Sequence, residues 1–282
     1  MTDAYVLTLT CADRPGIVHA VTGFVLERGG NVTEAAQFND ASTGLFFLRM
    51  RFAAAGTAVP ALRAAFAPLA TSLGLDHSLH VDGARMPTVV LVSRLGHCLN
   101  DLLFRWRSGA LPIELKAVVS NHRDFEHLCG SYGVPFHHVP VEAATKPQAE
   151  RRILELVDAA GAELVVLARY MQVLSDDLCR ALEGRAINIH HSFLPSFKGA
   201  RPYHQAADRG VKLIGATAHY VTAELDEGPI IEQDTARVDH TMDAARLTAI
   251  GRDVECAVLA RAVLWHAEHR ILPDGGKTVV FR

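Results

Sequence analysis

Two short segments of the chain carry residue types that could act together on a carbonyl group. In INIHHSFLPSFKGARPY, which begins at Ile187, Asn188 and His190 stand two residues apart. If Ala186–His190 is a strand, both point to one face while Ile187 and Ile189 turn into the core. In GATAHYVTAELDEGPII, which begins at Gly215, an alternating strand runs into the acidic turn Asp226-Glu227-Gly228-Pro229, and another apolar strand follows. An amide and an imidazole can donate hydrogen bonds to a developing oxyanion, and a carboxylate can orient a water or hold the imidazole in a useful protonation state. Those are the needs of acyl transfer. The plainer alternative is that His190 is an ordinary buried histidine, Asn188 caps the strand end, and Asp226 is a solvated turn acid. Asp226 joins the pair if the two strands are neighbours, because the Gly-Pro turn would then hold it at the same end of the sheet.

Such a trio needs a sheet to position it. Thr88–Val92, Ile113–Ser120 and Leu164–Leu167 read as short, continuously apolar strands, with helices at Cys98–Arg107, Asp124–Tyr132 and Gln148–Ala160 between them. That alternation predicts an open, mostly parallel α/β sheet covered on both faces. Ligands bind such sheets at the carboxyl ends of the strands, which is where Asn188 and His190 fall. Asp243–His269 reads as a long helix, and Lys277–Phe281 as a last edge strand.

The first eighty or so residues form a different pattern. Ala4–Thr10 alternates like a half-buried strand, and Arg14-Pro15-Gly16 breaks it before a helix with Ile17, Val18, Val21, Phe24 and Val25 at helical spacing. Gly29-Gly30 stops the helix. Asn31–Asn39 and Leu45–Phe52 read as strands joined at Asp40–Gly44, Pro60–Leu73 as a second helix, and Asp76–Val81 as a closing strand. The order β-α-β-β-α-β is the ferredoxin-like arrangement. The polar stretch 83–87, broken by Gly83 and Pro87, is read as a linker between a domain at 1–82 and another at 88–282.

Composition narrows the function classes. The 282 residues are 49% hydrophobic and 21% charged, enough apolar material for packed cores. With 28 Lys+Arg against 31 Asp+Glu and no basic stripe, a nucleic-acid partner is not expected. Five scattered cysteines without a CxxC pair predict neither a disulfide framework nor a zinc ribbon, and fit a reducing cytoplasm. No signal peptide and no membrane span are expected.

NIHHSFLPSFKGARPYHQA followed by IGATAHYVTAELDEGPIIEQ resembles the formyltransferase fold family, which holds glycinamide ribonucleotide transformylases and formyltetrahydrofolate deformylases. The resemblance implies a catalytic trio of Asn188, His190 and Asp226. LARYMQVLS (Leu167–Ser175) is similar to the family's folate-binding loop, which implies that Arg169, Met171, Gln172 and Val173 meet the pterin, largely through backbone groups. The first eighty residues resemble an ACT domain, an amino-acid-sensing module, on Asp13-Arg14-Pro15-Gly16-Ile17-Val18 and Gly29-Gly30-Asn31-Val32. That implies an effector site at Asp13, Arg14, Gly16 and Asn31, with glycine and methionine as the expected signals. An equal alternative is that this turn is purely structural and the module only pairs with another subunit. An ACT module ahead of a formyltransferase module is the deformylase architecture.

Deformylase and transformylase share 10-formyltetrahydrofolate and differ in the acceptor. The transformylases carry a G-x-G-S-N loop that cradles the acceptor's phosphate, whereas this chain reads Ser93-Arg94-Leu95-Gly96-His97-Cys98-Leu99-Asn100 there. Bulky Leu95 and His97 replace close backbone approach, which favours water as acceptor. The expected reaction is hydrolysis to tetrahydrofolate and formate, with the formate supplying purine synthesis. Transfer to glycinamide ribonucleotide, and a non-catalytic folate-responsive regulator, are the alternatives. Arg169, Lys198 and Arg201 are the local basic groups for the anionic folate tail. A homodimer or homotetramer is expected from the ACT resemblance.

Other features take plainer readings. His137-His138 and His190-His191 are adjacent residues facing opposite ways, and no HExxH accompanies them, so no catalytic metal and no cofactor beyond the folate substrate are expected. Gly276-Lys277-Thr278 imitates the end of a phosphate loop, but Ile271 stands where its first glycine is needed. Cys98 and Cys129 are read as ordinary helix residues rather than nucleophiles.

Overall fold

The alternation in AYVLTLT becomes β1 (Thr2–Ala12) in the computed structural model of the chain, which describes residues 2–56, 58–194 and 202–282. Gly16, at φ 95°, opens α1 (Ile17–Glu27), and β2 (Asn31–Asp40), β3 (Leu45–Ala55), α2 (Val59–Leu73) and β4 (Asp76–Val81) follow in the predicted order. The sheet order is β2-β3-β1-β4, and its pairs are antiparallel. Tyr5, Leu7 and Leu9 of β1 share one face with Phe46, Leu48 and Met50 of β3, and α1 and α2 cover them with Val21, Phe24 and Phe66. Burying these side chains removes from water the apolar area that stabilises the layer.

The opposite face of β3 has its own cover. Beyond the predicted elements, β5 (Met86–Val92), α3 (His97–Arg107), β6 (Ile113–Ser120), α4 (Glu126–Tyr132), β7 (Phe136–His138), α5 (Lys146–Ala159), β8 (Leu164–Leu167), α6 (Asp176–Ala181), β9 (Ala186–His190), α7 (Pro202–Asp208), β10 (Leu213–Tyr220), β11 (Ile230–Arg237) and α8 (Ala244–Ala267) precede β12 (Ile271–Asp274) and β13 (Lys277–Val280). Lys277–Phe281 was expected as an edge strand of the large sheet. Instead β12 and β13 pair with each other, and Leu272 and Phe281 bury Phe47 of β3. Beside them, Arg49 is buried and donates to the carbonyls of Glu268 and His269 and to Glu34 at 2.6 Å. The chain accordingly divides into a first unit of Met1–Ala84, Glu268–Asp274 and Thr278–Arg282, and a second of Arg85–Ala267 and Gly275–Lys277.

The second unit is an open seven-stranded sheet in the order β11-β10-β9-β8-β5-β6-β7. Strands β5 to β9 are mutually parallel, and β10 and β11 are antiparallel additions. Val89, Leu91, Val165 and Leu167 pack under α5 and α6, against Ile153, Val157 and Leu178. Strand order reverses at β5, with β6 on one side and β8 on the other, so the loops leaving β5 and β8 diverge and open a crevice. No helix of the described residues is long and apolar enough to cross a membrane.

Candidate active site

Strand β9 carries Asn188 and His190 on one face, with Ile187 and Ile189 buried on the other. Its neighbours set the geometry: Asn188 pairs with Leu167 of β8 on one side and His219 of β10 on the other, and His190 pairs with Thr217. Because β10 runs antiparallel, its connection to β11 leaves the sheet beside Ala186, where the Val221 N–H donates to the Ala186 carbonyl at 2.9 Å. The expected arrangement, with the acidic turn at the carboxyl end of β9, is therefore corrected. The 221–229 loop bends back over the sheet face to bring Asp226 to His190. Two local features hold the bend: Asp226 adopts a left-handed φ of 59°, and Gly228 passes so close to Tyr220 that a Cβ would sit 1.8 Å from its carbonyl oxygen.

Asp226 meets His190 directly, and His219 stands between Asp226 and Asn188. His190 Nδ1 lies 3.2 Å from Asp226 Oδ2, and His219 Nε2 lies 3.6 Å from Asp226 Oδ1 and 3.2 Å from Asn188 Nδ2. Burial raises the Asp226 carboxyl, but the hydrogen bond and charge of His190 outweigh it and hold the group well below the usual carboxylate range. Asp226 is thus an anion that fixes His190 through Nδ1. His190 Nε2 is buried and has no partner among the described residues, so it is the atom left to bond a reacting group. His191 stacks on His190 at 4.8 Å, and burial, with the charges of Arg169 and His190, pushes its pKa down to about 4. Thr217, buried beneath, donates to the Ser192 carbonyl and accepts from the Leu194 N–H, fixing the chain just beyond His190.

The trio opens onto a cavity of about 870 Å³, whose other wall is the segment after β8. Arg169, Met171, Gln172 and Val173 all line it, and Met171 and Val173 are exposed apolar groups. A mostly apolar cavity with a few convergent polar groups suits an aromatic ligand. Lys198 and Arg201 lie outside the described residues. In the first unit, Asp13, Arg14 and Gly16 are exposed on the turn before α1, and Asn31 is exposed as the first residue of β2.

Sequence reasoning missed His219 and Glu255. Strand alternation could have placed His219 on the Thr217 face, but only the β9–β10 register shows that it meets Asn188. Glu255, on α8, is almost fully buried and meets His97 Nε2 at 2.7 Å, Tyr203 Oη at 2.6 Å and Arg169 Nε at 3.4 Å. His97 thus begins α3 with its side chain committed to a carboxylate, and the ring of Phe125 covers Gly96 closely enough that a Cβ there would sit 2.3 Å away. Ligand atoms of His97, Cys98 and Glu255 lie within 4.8 Å of one another, one such group among the described residues, but the Arg169 guanidinium beside Glu255 opposes a cation there. Cys98 and Cys129 are buried in α3 and α4; burial pushes the Cys129 thiol up to about 11, away from a nucleophile's range.

The family described as Formyl transferase matches residues 86–263. A formyltetrahydrofolate deformylase of Corynebacterium sp. (strain P-1) is 54% identical over 280 residues, spanning 99% of this chain and 98% of that protein. The crystal structure of a formyltetrahydrofolate deformylase from Burkholderia mallei superposes with a TM-score of 0.96 at 51% identity, over 99% of this chain and 100% of that one. A glycinamide ribonucleotide transformylase from Symbiobacterium toebii matches 73% of this chain and 98% of its own, with a TM-score of 0.66 and 30% identity.

Proposed function

Because the chain belongs to the formyltetrahydrofolate deformylases, within the formyl transferase family, we propose that its cavity binds 10-formyltetrahydrofolate with the formyl group between Asn188, His190 and Asp226. The enzyme hydrolyses this substrate to tetrahydrofolate and formate, and the formate supplies purine synthesis. The observation that carries the assignment of the site is the meeting of His190 and Asp226 at 3.2 Å in the wall of that cavity.

In this reading the pterin rests against the 169–173 loop. Water, polarised by the Asp226 carboxylate, attacks the formyl carbon, so that a C–O bond forms and the carbonyl becomes an oxyanion. Asn188 Nδ2–H and a protonated His190 Nε2–H donate to that oxygen, while Nδ1–H stays on Asp226. As the intermediate collapses, the C–N10 bond breaks, the proton given up by the attacking water ends on N10, and formate leaves. His97, bonded to Glu255, and Phe125, over Gly96, fill the start of α3 where an acceptor phosphate would need free backbone N–H groups, which supports water as the acceptor. The test is formate release from 10-formyltetrahydrofolate by the purified protein, with and without glycinamide ribonucleotide. Formate at the same rate in both supports hydrolysis; formyl loss that requires the ribonucleotide overturns it.

The same reading makes the protein a cytoplasmic homodimer or homotetramer whose first unit binds glycine or methionine near Asp13, Arg14, Gly16 and Asn31. It is supported by the exposed turn that Gly16 opens before α1. Calorimetry with both amino acids, beside the formate assay, tests it: heat accompanied by a rate change supports coupling, and no heat removes the effector.

A further inference from the structure

Arg169 is the residue on which the cavity's loop turns, and it does so in an unfavourable conformation. Its φ of 64° lies in the left-handed region, which is unfavourable for a non-glycine residue and persists where the surroundings over-determine it. The peptide groups around it are pinned to the end of β5: the Ala168 N–H donates to Leu91, the Ser93 N–H donates to the Arg169 carbonyl at 3.2 Å, and the Met171 N–H donates to Ser93 Oγ at 2.9 Å. Farther along, the Ser175 N–H donates to Glu150 at 2.9 Å. Met171–Leu174 are thus held between two fixed points and face the cavity.

The guanidinium of Arg169, only 8% exposed, has its Nε 3.4 Å from Glu255 Oε2. Glu255, 1% exposed, does not line the cavity, so it acts on a bound ligand only through its neighbours. Its place is fixed by Tyr203 on one oxygen and His97 on the other, and Tyr203 reaches it because Gly251, one turn earlier in α8, leaves room where a Cβ would sit 2.1 Å from the phenol oxygen. A buried carboxylate fixed by two hydrogen bonds is a rigid post; Arg169 Nε makes no hydrogen bond and rests against it as an ion pair, so a buried guanidinium left without it would be an uncompensated charge.

We propose that Glu255 is a positioning residue for the folate loop: by anchoring the Arg169 guanidinium, it holds residue 169 in its left-handed conformation and so sets the wall formed by Met171–Leu174. This rests on the reading of the cavity as the 10-formyltetrahydrofolate site. Arg169→Gly is the informative variant, because glycine relieves the backbone strain while removing the anchor. It is compared with Glu255→Gln, Arg169→Lys and the Arg169→Gly/Glu255→Gln double variant, measuring KM and kcat for formate release, tetrahydrofolate affinity by fluorescence quenching, and thermal melting. Arg169→Gly and Glu255→Gln are each expected to raise KM about tenfold, with a smaller change in kcat. The double variant is expected to be no worse than either single one, and Arg169→Lys to recover part of the affinity. A KM that is unmoved in Glu255→Gln, or singles that add in the double variant, overturns the proposal and makes Arg169 an independent ligand contact. Should Glu255→Gln not fold, a wild-type KM in folded Arg169→Gly overturns it equally. Wild-type protein that releases no formate counts against the catalytic reading instead, while the quenching measurement still tests the anchor.

Discussion

His219 stands opposite Asn188 across the β9–β10 pair, with its Nε2 3.2 Å from the Asn188 amide nitrogen. Its Nδ1 lies 2.9 Å from the Tyr220 carbonyl, so in the neutral ring Nδ1–H donates there and Nε2 accepts from Asn188. That bond fixes which way the Asn188 amide faces and leaves its second N–H for the substrate oxygen. His219→Phe, which keeps the volume but removes the acceptor, is expected to lower kcat for formate release by about tenfold or more, with KM little changed. Single-turnover kinetics give the comparison, and an unaltered chemical step would remove His219 from the site.

His190 and Asp226 carry the larger effect. Losing one oxyanion donor or the group that orients it costs on the order of a hundredfold or more. Asp226→Asn and His190→Ala should both fall by at least that much in kcat. Near-normal formate release in either variant sinks the assigned trio.

Gly228→Ala tests the bend that carries Asp226. The added methyl would meet the Tyr220 carbonyl oxygen at 1.8 Å, so the loop must move and take the carboxylate away from His190. Activity is expected to fall more than tenfold, because displacement of a positioned group by about 1 Å can cost up to a hundredfold. The far-ultraviolet circular dichroism should stay native. An active Gly228→Ala enzyme would show that the position of Asp226 does not depend on this close approach.

Stability should depend on pH through His266 and His191. Burial pushes the folded pKa of each from 6.5 to about 4, and His266 Nδ1 lies 2.7 Å from Tyr220 Oη. Because burial lowers both folded pKa values, the unfolded chain binds more protons between those values, so stability is complete above about 6.5, declines as pH falls toward 4, and levels off below. Each group contributes on the order of 3 kcal/mol across that window. Urea midpoints at several pH values in the window read the slope, and His266→Gln should flatten it; an unchanged slope would assign it elsewhere.

In the first unit, Arg49→Met tests the buried guanidinium on β3. Its loss leaves the carbonyls of Glu268 and His269 without that donor, while Glu34 keeps Arg51 and Arg270, and unmaking such part-buried hydrogen bonds costs about 1–3 kcal/mol. Guanidinium-chloride unfolding followed by circular dichroism measures it. A midpoint equal to wild type would mean that Leu272 and Phe281 on Phe47 suffice to hold the last strands.

Local signals made most elements legible, and long-range register made the rest invisible. Alternation and Gly-Pro punctuation gave β1 to β4 in order, and the N-x-H spacing put Asn188 and His190 on one face of β9. Nothing local distinguishes β10 running antiparallel from β10 running parallel, so the backward bend of Asp226 and the pairing of His219 with Asn188 could not be read. Glu255 sits in an ordinary helical stretch, and its significance comes from His97, Tyr203 and Arg169, each distant in sequence. Lys277–Phe281 was legible as a strand, but its partner was not, because Phe47 offers no local sign of what covers it.

The return of Glu268–Asp274 and Thr278–Arg282 to the first unit makes the larger unit an insertion within a host, with the host's sequence on both of its flanks. A cut near residue 85 does not separate two modules. It leaves an orphaned tail carrying Leu272 and Phe281, and it strips the host of the strands that cover Phe47. The larger unit has host sequence on both sides of 85–267 and also draws Gly275–Lys277 from the tail, so a gene fusion that joins or exchanges these modules must respect both flanks.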